Sequence, residues 1–353
     1  MQTDIAIVGG GLAGLSLAAR LSLAGRDFQL FEARDRLGGR ISALQTAQGA
    51  VDLGPSWFWP GQPRMTALVS TLGLRVFPQF AQGDVCLEDV TGRVHRGAGY
   101  SSMAGSFRIA GGMEAIVDAL AATLPADRLH LSARVESISR TGGVVLARGV
   151  SCQADHVVLA VPPRIAAGLT YDPRLDLDMR TALTAIPTWM AGQAKFVATY
   201  DRPFWRDLHL SGDAMSHCGP LMEIHDASGP DGTPAALFGF LGTPAPHRAG
   251  RAGEIEQAAL DQLARLFGPA ARTPIRTALQ DWAFQPETAT EDDLTPPSTH
   301  PDYGLPPRLS GLWEGRLHFA ATEVAPEMGG YLEGALAAAE AVSARLQAAI
   351  PTL

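Results

Sequence analysis

Cysteine is scarce in this chain of 353 residues. There are three, Cys86, Cys152 and Cys218, odd in number and far apart, with no Cys-x-x-Cys spacing. That argues against a disulfide framework and a zinc site, and fits reduced thiols. No metal is expected. No apolar run reaches the ~20 residues that span a bilayer, so no membrane partner is expected. Charge is sparse, at 18% of residues, and its balance is negative, formally −8. Nucleic acid and anionic membranes attract basic surfaces, so neither is an expected partner. There is no internal repeat, no low-complexity segment beyond a Pro/Gly/Ala-rich loop from Thr243 to Gly253, and no obvious Ser/His/Asp set. The N-terminus runs directly into an apolar segment, which leaves no room for a signal peptide and makes a cytoplasmic location the expectation. The length allows two domains or one large one.

The first forty residues carry the strongest pattern. Asp4-Ile5-Ala6-Ile7-Val8 reads as a buried strand, and Gly9-Gly10-Gly11-Leu12-Ala13-Gly14 follows at once. A helix rich in Ala and Leu then runs to about Ala24, and Asp27 to Phe31 reads as a second strand ending on Glu32. Strand, Gly-x-Gly-x-x-Gly, helix, strand and acid form the dinucleotide fingerprint in its required context. Gly9 permits the tight turn, Gly11 lets a pyrophosphate approach the backbone, and Gly14 lets helix and strand pack closely. The helix N-terminus presents free N–H groups to phosphate. Glu32 is placed to accept from a ribose diol and disfavours a 2′-phosphate, so FAD or NAD fits better than NADP. One fingerprint makes a second, NAD(P)H-binding domain improbable.

The following segment, Glu32-Ala33-Arg34-Asp35-Arg36-Leu37-Gly38-Gly39-Arg40, resembles the one that follows the second strand in flavin amine oxidases, where Gly-Gly-Arg lies along the FAD. Further stretches resemble the same family. Val51 to Pro60, with Trp57 and Trp59, resembles a segment beside the isoalloxazine ring. Gly111-Gly112-Met113 opens a helix, and the strand after it, around Ala133-Arg134-Val135, would bring Val135 to the adenine. Val161-Pro162-Pro163 resembles the family's exit from the FAD domain. Lys195 stands in the mostly apolar strand Gly192 to Tyr200. The run from Lys195 to Arg206 resembles a monoamine oxidase segment whose lysine holds a water against flavin N5 and assists reoxidation by oxygen. The alternative for Lys195 is a snorkelling side chain at a sheet edge.

The C-terminal block, Thr322-Glu323 and then Met328 to Ala335, resembles the family's last flavin-binding segment. The resemblance places Glu323 at the ribityl chain, Leu332 at the flavin, and Tyr331 as one of two parallel rings flanking the substrate amine. The second ring is missing from its place in the family pattern, or has moved. Counting back from Pro296-Pro297, Thr290 falls where the family's flavin-linked cysteine stands and Glu291 where its tyrosine stands. FAD is therefore expected to be non-covalent, and the second wall is either absent or supplied by Trp282 or another tryptophan.

The resemblance implies an α/β fold with a Rossmann-type FAD-binding domain (1–75, 108–163 and 281–353). A second α+β substrate domain, a mixed sheet with helices, would hold 76–107 and 164–280. The expected activity is oxidation of a small-molecule amine, with hydride transfer from its α-carbon to flavin N5 and reoxidation by O2. The expected catalytic residues are Lys195, Tyr331, Trp57 and Trp282. The expected cofactor residues are Gly9, Gly11, Gly14, Glu32, Arg34, Gly38, Gly39, Arg40, Val135, Glu323, Tyr331 and Leu332. Two other readings stand beside this one: a desaturase or oxidase of a non-amine substrate on the same fold, and a flavin-binding assembly factor without turnover. Oligomeric state is left open.

Overall fold

The computed structural model describes residues 1–349. Its architecture is α/β, and two mixed sheets dominate it. The first has eight strands in the order Thr170–Asp172, Val135–Ser139, Gly143–Leu146, Ser151–Leu159, Gln2–Val8, Phe28–Phe31 and Leu129–His130. Leu317–Phe319 also pairs with Ser151–Leu159, in parallel. Its centre is parallel: Ile7 lies between Val158 and Leu30. Such a strand is covered on both faces, which is why Ile5-Ala6-Ile7 is continuously apolar and wholly buried. Helices Leu12–Leu23, Glu114–Ala122 and Leu332–Ala349 pack one face through Leu15, Ile116 and Leu336.

The second sheet has seven strands, ordered Arg276–Asp281, Ala194–Tyr200, Ala235–Leu241, Leu221–Asp226, Leu210–Ser216, Asp84–Glu88 and Val94–Arg96. Helix Ala252–Phe267 seals one face with Ile255, Ala259, Leu263 and Leu266, a stripe at helical spacing. Its other face meets Val51 and Trp57 through Val197, Ala236 and Phe238.

Two expectations shift. The chain does not leave the first sheet at Arg164. Thr170–Asp172 pairs with Val135–Ser139, and Leu183 packs in the same core; the second sheet takes over at Ala194. The two prolines stop a strand without ending the domain, because the next helix starts on Pro163. The strand expected around Ala133 begins at Val135.

Candidate active site

A cavity of about 1260 Å³ opens at the carboxyl ends of strands Gln2–Val8 and Phe28–Phe31 and reaches Lys195 and Phe240 on the second sheet. Ligands of open α/β sheets bind at this end of the strands.

The fingerprint glycines divide by what a side chain would meet. A Cβ on Gly14 would lie 2.0 Å from the Gly9 carbonyl oxygen, and one on Gly9 would lie 2.7 Å from that of Ala160. These two serve packing. A Cβ on Gly11 would meet nothing closer than 3.9 Å, and Gly11 lines the cavity. That space opens into the cavity. Gly38 and Gly39 fold against the fingerprint: the Gly38 N–H donates to the Gly10 carbonyl (2.8 Å), and a Cβ on Gly39 would come within 3.2 Å of Gly11 Cα. Arg36, not singled out from sequence, braces this turn by donating to the carbonyls of Leu37, Gly39 and Ile41, each at 3.0 Å.

Glu32 is buried at the end of its strand, accepting from the N–H groups of Gly10 (2.8 Å) and Arg34 (2.9 Å). Two of the roughly four lone pairs of a carboxylate remain for a diol. Arg34 keeps a buried Nη2 without a hydrogen-bond partner. Glu323 is wholly buried; Arg40 Nη1 lies 2.7 Å from its Oε1, yet neither carboxylate oxygen receives a well-directed hydrogen bond. Buried polar groups are normally satisfied. Gly11, Arg34 and Glu323 therefore present space, a donor and an acceptor, which suit the phosphates and hydroxyls of a dinucleotide. Val135 and Leu332 line the same cavity, and Arg134 beside Val135 forms an ion pair with Glu287, which also lines it.

Lys195 does not snorkel. Its strand lies between two others, Lys195 pairing with Phe240 on one side and Gln280 on the other, and the residue is 2% exposed. Nζ donates to Ser56 Oγ (2.7 Å) and to the Gly54 carbonyl (3.1 Å), and lies 3.8 Å from the centre of the Phe238 ring. Burial pushes the ammonium down to about 7; buried Asp52 raises it and buried Arg108 lowers it further. Sequence composition held a signal for this residue that the motif reading did not use: of 28 Lys and Arg, it is the single lysine.

Trp57, Trp59, Trp282 and Tyr331 all line the cavity. The Trp57 indole N–H donates to Gln79 Oε1 (2.8 Å), and its ring meets His225 edge-on at 4.9 Å. The Trp282 indole N–H donates to the Leu53 carbonyl at 3.0 Å. The ring parallel to Tyr331 is neither Trp282 nor another tryptophan. It is His300, with centroids 5.1 Å apart and planes at 16°. That is stacking contact, with no gap for an amine, so His300 backs Tyr331 rather than facing it. Trp59 meets Tyr331 edge-on at 6.3 Å. Nothing local in sequence couples His300 to Tyr331; the His300 ring nitrogen Nε2 lies 3.0 Å from the Gly329 carbonyl, a long-range contact. Thr290 and Glu291 also line the cavity. The Thr290 hydroxyl donates to Asp293, which Arg164 holds at 2.6 Å, and none of the three cysteines reaches the cavity.

The class is thus a dinucleotide-binding α/β protein with a buried lysine in the wall of the ligand cavity. The family described as flavin containing amine oxidoreductase matches residues 94–347, and an NAD(P)-binding Rossmann-like domain matches residues 7–72. The chain belongs to the flavin-containing amine oxidoreductase family, and so is an FAD-dependent oxidoreductase. It is 24% identical to the "Probable flavin-containing monoamine oxidase A" of Dictyostelium discoideum, covering 98% of this chain and 97% of that one. It is also 24% identical to amine oxidase [flavin-containing] B of Sus scrofa, covering 96% and 85%. Among solved structures, wild-type putrescine oxidase bound to putrescine superposes with a TM-score of 0.80 at 21% identity, covering 99% of each chain. Cyclohexylamine oxidase from Brevibacterium oxydans gives 0.78 at 22%, covering 98% and 99%.

Proposed function

We propose that this protein oxidises a small primary or secondary amine and returns the electrons to oxygen. The observation that carries the reading is Lys195, a buried amino group in the wall of the cavity that also holds the fingerprint glycines. FAD, held without a covalent bond, would supply the two-electron acceptor for a hydride from the amine α-carbon, with O2 as the final oxidant and hydrogen peroxide as its product. Hydrolysis of the imine would give an aldehyde with ammonia from a primary amine, or with a smaller amine from a secondary one. Gly11, Arg34 and Glu323 would hold phosphate and ribityl groups, Glu32 the ribose, and Val135 the adenine. The N-terminus of helix Leu332–Ala349 favours negative charge beside Tyr331 and Leu332. The aromatic walls Trp57, Trp59, Trp282 and Tyr331 exclude water and take the apolar part of the substrate. Lys195 brings a positive charge that stabilises reduced oxygen species as they form.

The test is Lys195→Met, with both half-reactions followed by flavin absorbance. Reduction by an amine under anaerobic conditions should change less than about threefold. Reoxidation by O2 should fall by about 10² or more, the loss expected of a preorganised electrostatic group. Undiminished reoxidation would remove the role of Lys195. Absence of bleaching by any amine in a broad panel would overturn amine oxidation itself. In the active protein, reoxidation should slow as pH rises through about 7, because the ammonium is the effective form.

A further inference from the structure

One segment, Leu53 to Trp57, bonds two of the candidate groups on this side of the cavity and supplies a third. The Leu53 carbonyl accepts from Trp282, the Gly54 carbonyl accepts from Lys195, and Trp57 is itself a wall. Ser56 is the segment's side chain that bonds Lys195. It is 2% exposed, lines the cavity, and accepts from Nζ at 2.7 Å, the shorter of the two bonds that Lys195 makes.

The contact is specific to an ammonium. Arg is used at the other 27 basic positions, and an arginine here would keep its charge at any pH and spread it over a planar fork. A lysine is a compact charge that one hydroxyl and one carbonyl can aim. The Phe238 ring at 3.8 Å closes another side, and His225, held between Asp213 (3.0 Å) and Glu223 (3.1 Å), meets that same ring at 5.4 Å. Ser56 also differs from the Gly54 carbonyl in one respect. While its oxygen accepts from Nζ, its own O–H remains free to donate.

We infer that Ser56 is the positioning residue of Lys195, fixing the ammonium in the cavity wall through its hydroxyl. This rests on the reading of Lys195 given above. Ser56 acts through the lysine, and the charged groups bearing on that lysine from neighbouring elements are Asp52 and Arg108. Asp52 is held by the Met113 N–H and Arg108 by the carbonyls of Ala227 and Ser228, not by Ser56, so the effect of the hydroxyl can be isolated.

The single lysine makes the test direct. Holoenzyme labelled with [13C]lysine gives one side-chain Cε resonance, whose pH titration reports Nζ alone. Its midpoint in the unaltered protein is expected near 7. Ser56→Ala removes a hydrogen bond to the charged form, so proton affinity should fall about tenfold and the midpoint move about one pH unit lower. Reoxidation by O2 at pH 7 should fall with it, while anaerobic reduction by amine changes less than about twofold. Ser56→Thr should restore midpoint and reoxidation, and Ser56→Val, of the same shape without the hydroxyl, should not. Equal behaviour of Thr and Val, or a midpoint unmoved in Ser56→Ala, would overturn the assignment. A midpoint that moves as expected while Lys195→Met leaves reoxidation intact would uphold the Ser56 contact and sink the oxygen role of Lys195 instead.

Discussion

At the scale of single residues, identical glycines in the fingerprint do different work, and substitution should separate them. Gly11→Ala adds a methyl group that meets no protein atom within 3.9 Å. The chain should fold with an unchanged circular dichroism spectrum, and its affinity for FAD, titrated by flavin fluorescence, should fall by about tenfold or more, because the methyl occupies the ligand's space. Gly14→Ala drives a methyl to 2.0 Å from a backbone oxygen. Overpacking of this kind typically destabilises by about 1–3 kcal/mol or more, so its first symptom should be a lower Tm even without FAD. Glu323 belongs at the same scale. Burial with both oxygens short of well-directed donors is unfavourable, so FAD should raise the Tm of the unaltered protein more than that of Glu323→Gln.

At the scale of elements, helix Pro63–Thr71 shows how the cofactor end is tied together. Its own N-cap, Gln62, makes no side-chain cap. The free N–H groups of Arg64 (3.0 Å) and Met65 (2.9 Å) instead donate to the buried carboxylate of Glu333, in the first turn of the C-terminal helix. Charge, dipole and two hydrogen bonds act together. Glu333→Ala should lower stability by about 2 kcal/mol, the size of charge-assisted bonds lost in a buried place, measured by urea unfolding. Because Tyr331 and Leu332 precede Glu333 at the cavity edge, FAD affinity should weaken as well. Sequence makes such elements legible when apolar spacing is regular: the helices at 12–23, 252–267 and 332–349 and the strands at 2–8 and 235–241 follow from it. Leu210–Ser216 and Leu221–Asp226 escape it, because Asp213, Glu223, His225 and Asp226 interrupt the alternation. They are tolerated inside because they answer one another: His225 binds Asp213 and Glu223, and Asp226 takes Trp205 (2.8 Å) and Arg206 (2.9 Å). Cross-strand satisfaction of this kind leaves no local trace. For the same reason Lys195 is readable from its motif, whereas Ser56, 139 residues away, and His300 are not.

At the scale of the whole molecule, the two sheets meet over a buried charge that the fold must carry. Lys195 binds its proton less tightly in the folded protein, at about 7, than in the unfolded chain at about 10.5. Between those values the unfolded state holds more protons, so this group makes stability rise with pH. Below about pH 7 both states are charged and the burial penalty acts in full. Lys195→Met removes the penalty. Its Tm relative to the unaltered holoenzyme should therefore be highest near pH 6, and the advantage should shrink by pH 9. Asp52 works against part of this gain. Burial already pushes its carboxyl up, and the variant takes away one of the two cations that pull it down, leaving Arg108. A Tm difference that is flat from pH 6 to 9 would mean that Lys195 stays fully charged in the folded protein, with its partners in the Leu53 to Trp57 segment strong enough to cancel the burial.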